Sequence, residues 1–457
     1  MSSSPPVSTE GPRGYLDEVS DSGVASGWAF DSTAPDKSLT VELCLDGEPA
    51  LSTIADLFRV DLASKNMGTG RHGFRADLSR LLVDDRPYAI SARTSGVKLK
   101  TVVTVRGGPA LANERRTVHE PGRFLHVEHE PALVARLARS RRRLAIVAYY
   151  QAQGRVFDYH RRILQDLKNQ GFATVLVRNG AENLAGFLEH ARALADLVVV
   201  RENAGFDFSA WLSVVELLRD TLEELDELVF ANDSVIGPLF PLREAVTRMA
   251  AAECDFWGMT DSWGRAYHLQ SYFLCFKQRA LRSSALGDYL RSYRHPLDKS
   301  EVIDQGEVGL TQALLGAGLR PAAYCPYLDV AQRWLNDLPR RLAEATHSPE
   351  AATNPSPGQP LQQYLSERAT HYALAARSLR SGEALNSPHY FWDTLIRDFR
   401  LPFVKKDLLL QNPERVPDTG NIRTLLASHT EFPVESLLEV FALTPGALAP
   451  PLPLVVA

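Results

Sequence analysis

From Leu144 onward, short apolar segments alternate with amphipathic segments, and this alternation constrains the fold more than any other feature. Runs of four or five apolar residues bounded by turn signals are typical of strands buried on both faces of a parallel sheet. The segment after the first run, residues 159–170, has apolar residues at helical spacing and Gly171 past its end. Because strand, crossover helix and strand repeat, the sequence predicts an α/β doubly wound domain. The predicted strands are residues 144–148, 173–177, 197–200 and 228–231.

Polar side chains follow each of these predicted strands. In open α/β sheets, ligands bind at the carboxyl ends of the strands, which share one edge. Ordinary turns use the same residue types, and a helix cap is the alternative role of Asp207. Gly205 would allow a close approach of the backbone to a ligand. We expect one binding site formed by Tyr149, Gln151, Asn179, Asn203, Gly205, Asp207, Asn232, Asp233 and Ser234.

Several common classes of function lack their motifs in this chain. The first predicted strand is not followed by GxGxxG, and the chain has no GxxxxGK[ST], HExxH or GxSxG. The net charge of -5 provides no global attraction to nucleic acid or to an anionic membrane. No apolar run approaches the roughly 20 residues that span a bilayer. The four cysteines are scattered without CxxC spacing, so we expect reduced thiols and a cytoplasmic protein.

The pattern divides the chain into five parts. The Ser- and Pro-rich residues 1–12 are expected to be a disordered tail. Residues 13–107 alternate apolar and polar positions between turn signals, which predicts a β-sandwich accessory domain. Residues 108–143 are expected to be a charged linker. The α/β domain is predicted over residues 144–335, and a helical region over 336–457 completes it.

Six stretches of the chain form a pattern that is specific when they are taken together: residues 202–211, 232–238, 255–258, 268–273, 391–395 and 401–409. They resemble the rhamnan synthesis protein F family of bacterial glycosyltransferases, and the resemblance covers most of residues 144–415. The first 110 residues lie outside it, although residues 27–31, residues 59–62 and Gly73-Phe74 resemble a β-sandwich module that accompanies some bacterial glycosyltransferases.

The resemblance implies a GT-A-like, Rossmann-like domain that binds a nucleotide sugar. The usual Asp-x-Asp metal motif is replaced by Asn232-Asp233-Ser234, so Asp233 is the one carboxylate left to act on the diphosphate or to hold a metal. A divalent cation, Mg²⁺ or Mn²⁺, therefore stays an open question. Asn203-Ala-Gly205 resembles the Asn-x-Gly turn of family 2 glycosyltransferases.

The resemblance also implies a catalytic base. Glu307 matches the acidic position of the inverting family 2 enzymes, and its alternative role is a carboxylate at a helix start, favoured by the helix dipole. Asp304 and Asp261 are the other candidates for the base. Asp261, His268 and Gln270 are assigned to the acceptor side. Lys405 and Lys406 are either surface charges or contacts to a phosphate.

Two functions remain open from the sequence. The first is an inverting transfer of a sugar, for example L-rhamnose from its deoxythymidine diphosphate donor, to a surface glycan or lipid-linked acceptor. Such an enzyme would be cytoplasmic, with at most peripheral contact at the inner face of the membrane. The second is a non-catalytic glycan-binding or scaffold protein with a degenerate transferase domain. The single carboxylate of Asn232-Asp233-Ser234 favours the second function, and the other polar strand ends favour the first.

Overall fold

The chain forms two compact units, Met1–Thr117 and Val118–Ala457. The computed structural model describes residues 11–20, 23–59, 62, 65, 67, 68, 70–78, 81, 82, 84–107, 123–127, 131–151, 154–219, 222–296, 299–347 and 361–442. Nearly all of the predicted tail, residues 1–12, lies outside these ranges.

The first unit consists of two antiparallel sheets. One has the order β1-β2-β6-β5 and the other the order β4-β3-β7-β8, with β9 also paired to β7. The strands are β1 (Pro12–Val19), β2 (Val24–Asp31), β3 (Leu39–Leu45), β4 (Glu48–Ala55), β5 (Leu57–Phe58), β6 (Arg71–Asp77), β7 (Pro87–Thr94), β8 (Val97–Lys98) and β9 (Val103–Arg106).

The two sheets of the first unit bury their apolar positions in one shared core. Ala25 and Ala29 of β2 and Phe74 of β6 come from the first sheet, whereas Val41 of β3 and Ile90 of β7 come from the second. Alternate residues along each strand point to opposite faces, so the observed pattern matches the period-two spacing of the sequence.

The second unit is built on a mixed sheet with the order β10-β13-β12-β11-β14-β18-β16-β17, with β19 paired to β16. Its strands are β10 (Phe124–Val127), β11 (Arg143–Tyr149), β12 (Ala173–Asn179), β13 (Leu197–Arg201), β14 (Glu227–Asn232), β16 (Phe256–Ser262), β17 (His268–Leu269), β18 (Phe273–Lys277) and β19 (Pro321–Cys325). A separate two-stranded sheet pairs β15 (Val235–Ile236) with β20 (Val404–Lys405).

Helices connect the strands and cover the sheet. They are α1 (Pro131–Arg141), α2 (Asp158–Asn169), α3 (Leu184–Ala191), α4 (Phe206–Leu217), α5 (Leu242–Ala251), α6 (Gln278–Leu281), α7 (Ser284–Ser292), α8 (Lys299–Glu301), α9 (Gly309–Gly316), α10 (Tyr327–His347), α11 (Leu361–Arg380), α12 (Ser387–Tyr390), α13 (Trp392–Arg397), α14 (Lys406–Leu410), α15 (Ile422–His429) and α16 (Glu435–Ala442). A π-helical segment, Val302–Val308, joins α8 to α9.

The central strands are apolar throughout because both faces of the sheet are covered. Along β11, Ala145 and Val147 belong to one buried cluster, while Leu144, Ile146 and Ala148 belong to the cluster on the other side. A strand covered on both faces requires the continuous apolar run found in the sequence. The α/β class predicted for this part of the chain is therefore observed.

The strand order places a switch point between β11 and β14. From β11 the chain moves outward to β12 and β13 in parallel register, then returns to pair β14 with the other side of β11. Strand β18 is antiparallel to both β14 and β16, so β16 runs in the same direction as β14. The carboxyl ends of these strands consequently share one edge, and open α/β sheets bind ligands at such a switch point.

The expected linker over residues 108–143 is wrong for its second part. Strand β10 pairs with β13 at the edge of the main sheet, and helix α1 buries Val134 and Ala138 completely. The strand is only four residues long and the helix carries arginines at its end. The charged residues of this region therefore favoured the prediction of a linker. Residues 108–122 lie outside the described residues.

The predicted boundary at residues 335 and 336 is also displaced. It falls inside α10, a continuous helix of 21 residues that begins at Tyr327. The carboxylate of Asp261 accepts a hydrogen bond from the Tyr327 amide at 2.6 Å, which satisfies one of the free amides at the helix start. The Pro-rich interruption expected near residues 354–360 lies outside the described residues.

Removing α1 and β10 should destabilise the second unit. A chain that starts at Arg143 loses the burial of Val134 and Ala138, and full burial of one Val side chain is worth about 1.5–3 kcal/mol. A chain that starts at Val118 keeps both elements. We expect the shorter chain to unfold at lower urea concentration, as followed by circular dichroism. Equal unfolding midpoints for the two chains would show that these elements contribute no stability.

Candidate functional site

The loop after β14 is organised by the side chain of Asn232. Its Nδ2 donates to Asp207 Oδ2 at 2.8 Å, and its Oδ1 accepts from the amide and the hydroxyl of Ser234 at 3.1 and 2.6 Å. Both the nitrogen and the oxygen of the side-chain amide are therefore hydrogen-bonded, and Asn232 is only 5% exposed. Asn232 therefore joins the end of β14 to the first turn of α4 and fixes the direction of the loop.

Asp233 lies between a lysine and a histidine. Lys406 Nζ is 3.0 Å from Asp233 Oδ2, and His160 Nε2 is 4.0 Å from the same oxygen. Phe157 donates its amide hydrogen to His160 Nδ1, so the ring hydrogen of the neutral imidazole is on Nε2, facing Asp233. Burial, together with the charge of Lys406, holds the pKa of His160 well below its usual range, which keeps the ring neutral.

The two lysines reach this loop because a distant segment of the chain pairs with it. Strand β20 is antiparallel to β15, with Lys405 opposite Val235. The Lys406 amide donates to the Ser234 carbonyl at 2.9 Å, and Lys405 Nζ is 3.4 Å from Ser234 Oγ. We call Asp207, Asn232, Asp233, Lys405 and Lys406 the carboxylate–lysine cluster.

The turn before α4 places Asp207 in this cluster. Gly205 has a φ of +69°, and a Cβ there would lie 1.8 Å from Ser209 Oγ, so a side chain has no room. Asp207 is in the first turn of the helix, and its carboxylate accepts from Asn232 on the neighbouring loop. The N-cap residue is Gly205, so the alternative role of Asp207 as the helix cap is wrong.

The two carboxylates of the cluster share one electrostatic environment. Removal from water and, next, the negative charge of Asp233 raise the pKa of Asp207 to about 7, despite the opposing effects of Lys406 and Lys405. Asp207 therefore changes its charge near neutral pH, when an ordinary aspartate is fully ionised.

Glu307 anchors a second group of polar residues at the same edge. Its Oε1 accepts from the hydroxyl and the amide of Ser271 at 2.6 and 3.3 Å, and its Oε2 is 3.8 Å from His268 Nε2. His268 Nδ1 lies 2.8 Å from the Ala266 carbonyl, which can only accept, so Nδ1 carries a hydrogen. We call Glu307, His268 and Ser271 the glutamate group.

Glu307 does not begin a helix. It lies in the π-helical segment Val302–Val308, which continues from α8 into α9. The alternative role as a carboxylate at a helix start is therefore wrong, because the helical backbone already begins before it. Short π-helical turns inside α-helices often occur at functional sites, since they change the direction in which a side chain points.

Lys405 connects the two groups electrostatically. Burial lowers the pKa of its ammonium group, while the negative charges of Glu307, Asp407 and Asp207 act in the opposite direction. Its Nζ also lies 4.7 Å from the centre of the Tyr272 ring. Lys405 is therefore the member of the carboxylate–lysine cluster on which the charge of the glutamate group also acts.

The other residues expected on the donor side have varied environments. Asn179 and Arg201 support the turn before α4: Asn179 Nδ2 donates to the Phe206 carbonyl at 3.3 Å, and Arg201 Nη1 donates to Asn179 Oδ1 at 2.6 Å. Tyr149 is buried and its hydroxyl donates to the Arg155 carbonyl. Gln151 Oε1 accepts from the Arg155 amide at 3.0 Å. Asn203 is exposed.

The residues expected on the acceptor side are divided between two places. His268 is in the glutamate group, and Gln270 accepts from Thr260 Oγ1 at 2.7 Å beside the same strand ends. Asp261 is buried, and its carboxylate accepts the Tyr327 amide at the start of α10. The structure therefore gives Asp261 a partner within the protein, away from any role that needs a free carboxylate.

Four residues of the site were not predicted from strand-end patterns. The sequence allows Lys405 and Lys406 to be either surface charges or phosphate contacts, and no strand-end pattern includes His160 or Ser271. The sequence signal for the lysines was their place in a stretch that carries the family resemblance, 171 and 173 positions from the loop residues that they meet.

An aromatic pair lies close to the glutamate group. Trp263 is half exposed, and its ring centre lies 5.0 Å from that of Tyr267 in the loop before His268. This loop therefore presents an apolar surface next to the polar strand ends.

The residues at the loop do not fit a divalent cation. Within the ranges that the structure describes, no group of three or more His, Cys, Asp or Glu side chains is placed to hold a metal ion. Asp233 is paired with Lys406, and Asp207 accepts from Asn232. Mg²⁺ and Mn²⁺ need several free oxygen ligands, and two nearby ammonium groups would repel either ion.

In the same described ranges, no helix is long and apolar enough to cross a membrane.

A family comparison agrees with the resemblance found in the sequence. The family model described as Rhamnan synthesis protein F matches residues 174–335, and the predicted resemblance is therefore confirmed for this segment. The matched segment contains Asp207, Asp233 and Glu307, whereas Lys405 and Lys406 lie outside it.

Two relatives are similar over parts of the chain. Virulence protein VirA of Vibrio anguillarum is 28% identical over 285 residues, which are 61% of this chain and 83% of the relative. Uncharacterized protein y4gN of Sinorhizobium fredii is 28% identical over 193 residues, 40% of this chain and 49% of that protein. A crystal structure of 4-diphosphocytidyl-2C-methyl-D-erythritol synthase covers 39% of this chain and 86% of its own at 15% identity, with a TM-score of 0.24 that is too low to establish a common fold.

Replacing Asp207 by Asn should stabilise the protein more at pH 8 than at pH 5. Because the folded state holds a proton on Asp207 up to about pH 7, wild-type stability falls as the pH rises from about 4 to 7. The side-chain amide of the variant still accepts the hydrogen bond from Asn232 and carries no charge. We expect Asp207→Asn to unfold at higher temperature than wild type at pH 8, by a margin that shrinks at pH 5.

The control for this experiment is Glu253→Gln, which changes a carboxylate that is 89% exposed. It should leave the melting temperature nearly unchanged at both pH values, since exposed ion pairs contribute little. A difference between Asp207→Asn and wild type that is the same at pH 5 and pH 8 would contradict the assignment of a raised pKa to Asp207.

Proposed function

We propose that this protein is a glycosyltransferase that moves a sugar from a nucleotide diphosphate donor to a glycan acceptor. The observation that carries the proposal is the position of the carboxylate–lysine cluster and the glutamate group at one edge of the sheet, where the Asp233 loop follows β14 and Ser271 precedes the neighbouring strand β18. The first group supplies charges for a diphosphate, and the second supplies a base for a hydroxyl. The match of residues 174–335 to the Rhamnan synthesis protein F family supports a role of this type.

The proposed reaction is an inverting displacement. Glu307 removes the proton from an acceptor hydroxyl, and the hydroxyl oxygen attacks the anomeric carbon of the donor sugar. The bond from that carbon to the diphosphate breaks, and the diphosphate leaves with its negative charge near Lys405 and Lys406. Asp233 acts on the leaving group through the cation that it holds, because a bare carboxylate would repel a diphosphate. In this proposal the α/β domain is GT-A-like.

The base assignment rests on the environment of Glu307. The hydroxyl and amide of Ser271 orient one carboxylate oxygen, and the other oxygen faces His268 Nε2 across 3.8 Å. The carboxylate side chain is 18% exposed, so an acceptor can reach it. A base that is held in one orientation and still accessible has the geometry that proton transfer needs.

The proposed acceptor side contains an aromatic surface. Trp263 and Tyr267 lie in the loop that leads to His268, and Arg265 of the same loop pairs with Asp304 in the π-helical segment of Glu307. Half-exposed aromatic rings can pack on the apolar face of a sugar. We propose that a glycan or lipid-linked glycan binds here, with Gln270 as a further polar contact.

The donor sugar is proposed from the family name, which describes rhamnan synthesis. The candidate donor is L-rhamnose linked to deoxythymidine diphosphate, and the acceptor would belong to a bacterial surface polysaccharide. The exposed Asn203 and the Gly205 turn are proposed to face the nucleotide, where the backbone can approach it closely.

Glu307→Gln should abolish transfer while donor binding stays close to wild type. The amide has nearly the same shape and can still accept from Ser271, but it cannot take the acceptor proton. Loss of a general base costs about 10²–10⁴-fold in rate. The measurement is sugar transfer from a panel of nucleotide sugars, with donor affinity measured separately by calorimetry.

The control for Glu307→Gln is Asp304→Asn, in the same π-helical segment, with a side chain that is 55% exposed and paired with Arg265. It should retain most activity. If Asp304→Asn abolishes transfer and Glu307→Gln does not, the base is Asp304. Wild-type protein that binds glycan but neither transfers nor hydrolyses any donor would favour the non-catalytic alternative.

Asp233→Asn should reduce turnover by about 10²-fold or more even where the diphosphate still binds, because the carboxylate that orients Lys406 during bond breaking is lost. The fold should persist, since Asp233 is at a loop and its amide replacement has the same shape. The measurement is the turnover rate at saturating donor. Unchanged turnover would remove Asp233 from the proposed mechanism.

A further inference from the structure

The charge that a transferase must place beside its leaving diphosphate is supplied here by lysines. We propose that Lys406 and Lys405 take the place of a divalent cation, so that the protein binds the diphosphate and transfers sugar without a metal ion. This inference rests on the proposed function for the transfer step, while its binding step can be tested by itself.

The first observation is the direct pairing of Lys406 with the motif carboxylate. Lys406 Nζ lies 3.0 Å from Asp233 Oδ2, and the two side chains are 22% and 11% exposed. The ammonium group thus occupies the position next to the carboxylate that a bridging cation would need. An ammonium group has three donors, so one bond to Asp233 leaves others that can reach a phosphate oxygen.

The second observation is that the placement of both lysines is built into the backbone. Strand β20 pairs with β15 directly after the Asn232-Asp233-Ser234 loop, and the Lys406 amide donates to the Ser234 carbonyl at 2.9 Å. The Leu239 amide donates to the Pro402 carbonyl at 2.8 Å further along the same pairing. Two successive lysines held to a loop by backbone bonds are positioned groups, unlike flexible surface charges.

The third observation concerns the carboxylates that a metal ion would use. Asp207 Oδ2 accepts from Asn232 Nδ2 at 2.8 Å, and Asp233 Oδ2 lies 3.0 Å from Lys406 Nζ. Each carboxylate thus has one oxygen engaged within the protein, whereas a hard cation needs several free oxygen ligands.

The charges of this arrangement suit a diphosphate. Lys405 and Lys406 place two ammonium groups at the Asp233 loop, and only Lys406 is paired with the Asp233 carboxylate. A diphosphate that displaces the Asp233 contact in part would form charge-assisted hydrogen bonds with both ammonium groups. When the bond to the sugar breaks, the extra negative charge develops beside groups that are already in place.

The test measures binding of inorganic pyrophosphate, and of the diphosphates of deoxythymidine, uridine and guanosine, by calorimetry in EDTA and in Mg²⁺. We expect wild type to bind pyrophosphate in EDTA, and at least one nucleoside diphosphate more tightly. Lys406→Met and Lys405→Met should each weaken binding about tenfold or more, and Lys406→Arg, which keeps the charge, should retain most of it. Donor turnover in EDTA should fall about 10²-fold in the Met variants.

The matched control is Lys168→Met. Lys168 is 27% exposed and lies 3.6 Å from Asp196, so its exposure and its ion pair resemble those of Lys406. Asp196 immediately precedes β13, at the edge of the sheet opposite the site. This variant should bind and turn over like wild type. Melting temperatures of all variants identify any loss that comes from unfolding.

The Asp233→Asn variant distinguishes a diphosphate site that uses a metal ion from one that uses the lysines. If a metal ion carries the diphosphate, this variant loses its ligand and pyrophosphate affinity falls. If the lysines carry it, the variant loses a competing negative charge, and pyrophosphate affinity in EDTA is retained or rises. A fall in affinity together with a strict need for Mg²⁺ would overturn the inference.

The remaining outcomes distinguish the inference from the proposed function. Wild type that binds diphosphates in EDTA through its lysines but transfers no sugar from any donor would support the inference and contradict the transferase. Wild type that transfers sugar only with Mg²⁺ would support the transferase and overturn the inference. Absence of diphosphate binding in both buffers would overturn both.

Discussion

The candidate site depends on the pairing of β15 with β20, two strands of two residues that are far apart in sequence. This pairing fixes the loop after β14 and brings Lys405 and Lys406 to it. Without the pairing, no lysine would lie near Asp233 and Asp207 to offset the repulsion between their two negative charges. Such a short pair of strands is not stable alone. It is held by the apolar cluster beneath it, in which Ile236 and Val404 are both almost fully buried.

The position of the helical C-terminal region follows from the same constraint. Its helices bury Trp392, Ile396 and Leu408 against Ile236 and Phe240, which follow the loop of the site. The region is therefore part of the α/β unit and carries half of the charges of the cluster. Changes in its apolar residues should act on the site by moving the lysines, even though these residues contact no ligand in the proposed reaction.

The sequence predicted the strands of the main sheet because both faces are buried and the apolar runs are continuous. It also predicted from the strand ends that Asn232 and Asp233 lie at one edge, and the resemblance implied that Glu307 is the base. It could not predict that Lys406 pairs with Asp233, since that contact joins residues 173 positions apart through a two-residue strand. The periodicity of so short a strand carries no signal. Short elements also explain two other differences. Strand β10 lies in a charged segment whose pattern is typical of a linker. The π-helical segment contains Glu307, where the sequence is typical of a helix start.

The chain delivers the two halves of the proposed chemistry from separate elements. The donor half comes from the turn before α4, the loop after β14 and strand β20, whereas the base half comes from Ser271, just before β18, and from the π-helical segment. Strand β18 pairs directly with β14, so the amino end of β18 lies beside the carboxyl end of β14. The glutamate group and the Asp233 loop are therefore fixed relative to each other by sheet hydrogen bonds.

The loop with Trp263 and Tyr267 is attached to the base half, because it leads directly into His268 of the glutamate group. The diphosphate contacts of the proposal come instead from β20 and the loop after β14, which are held in place by the pairing of β15 with β20. Substitutions in the aromatic loop should therefore change which acceptor is used while the diphosphate contacts persist, because the backbone bonds that position the lysines do not pass through that loop.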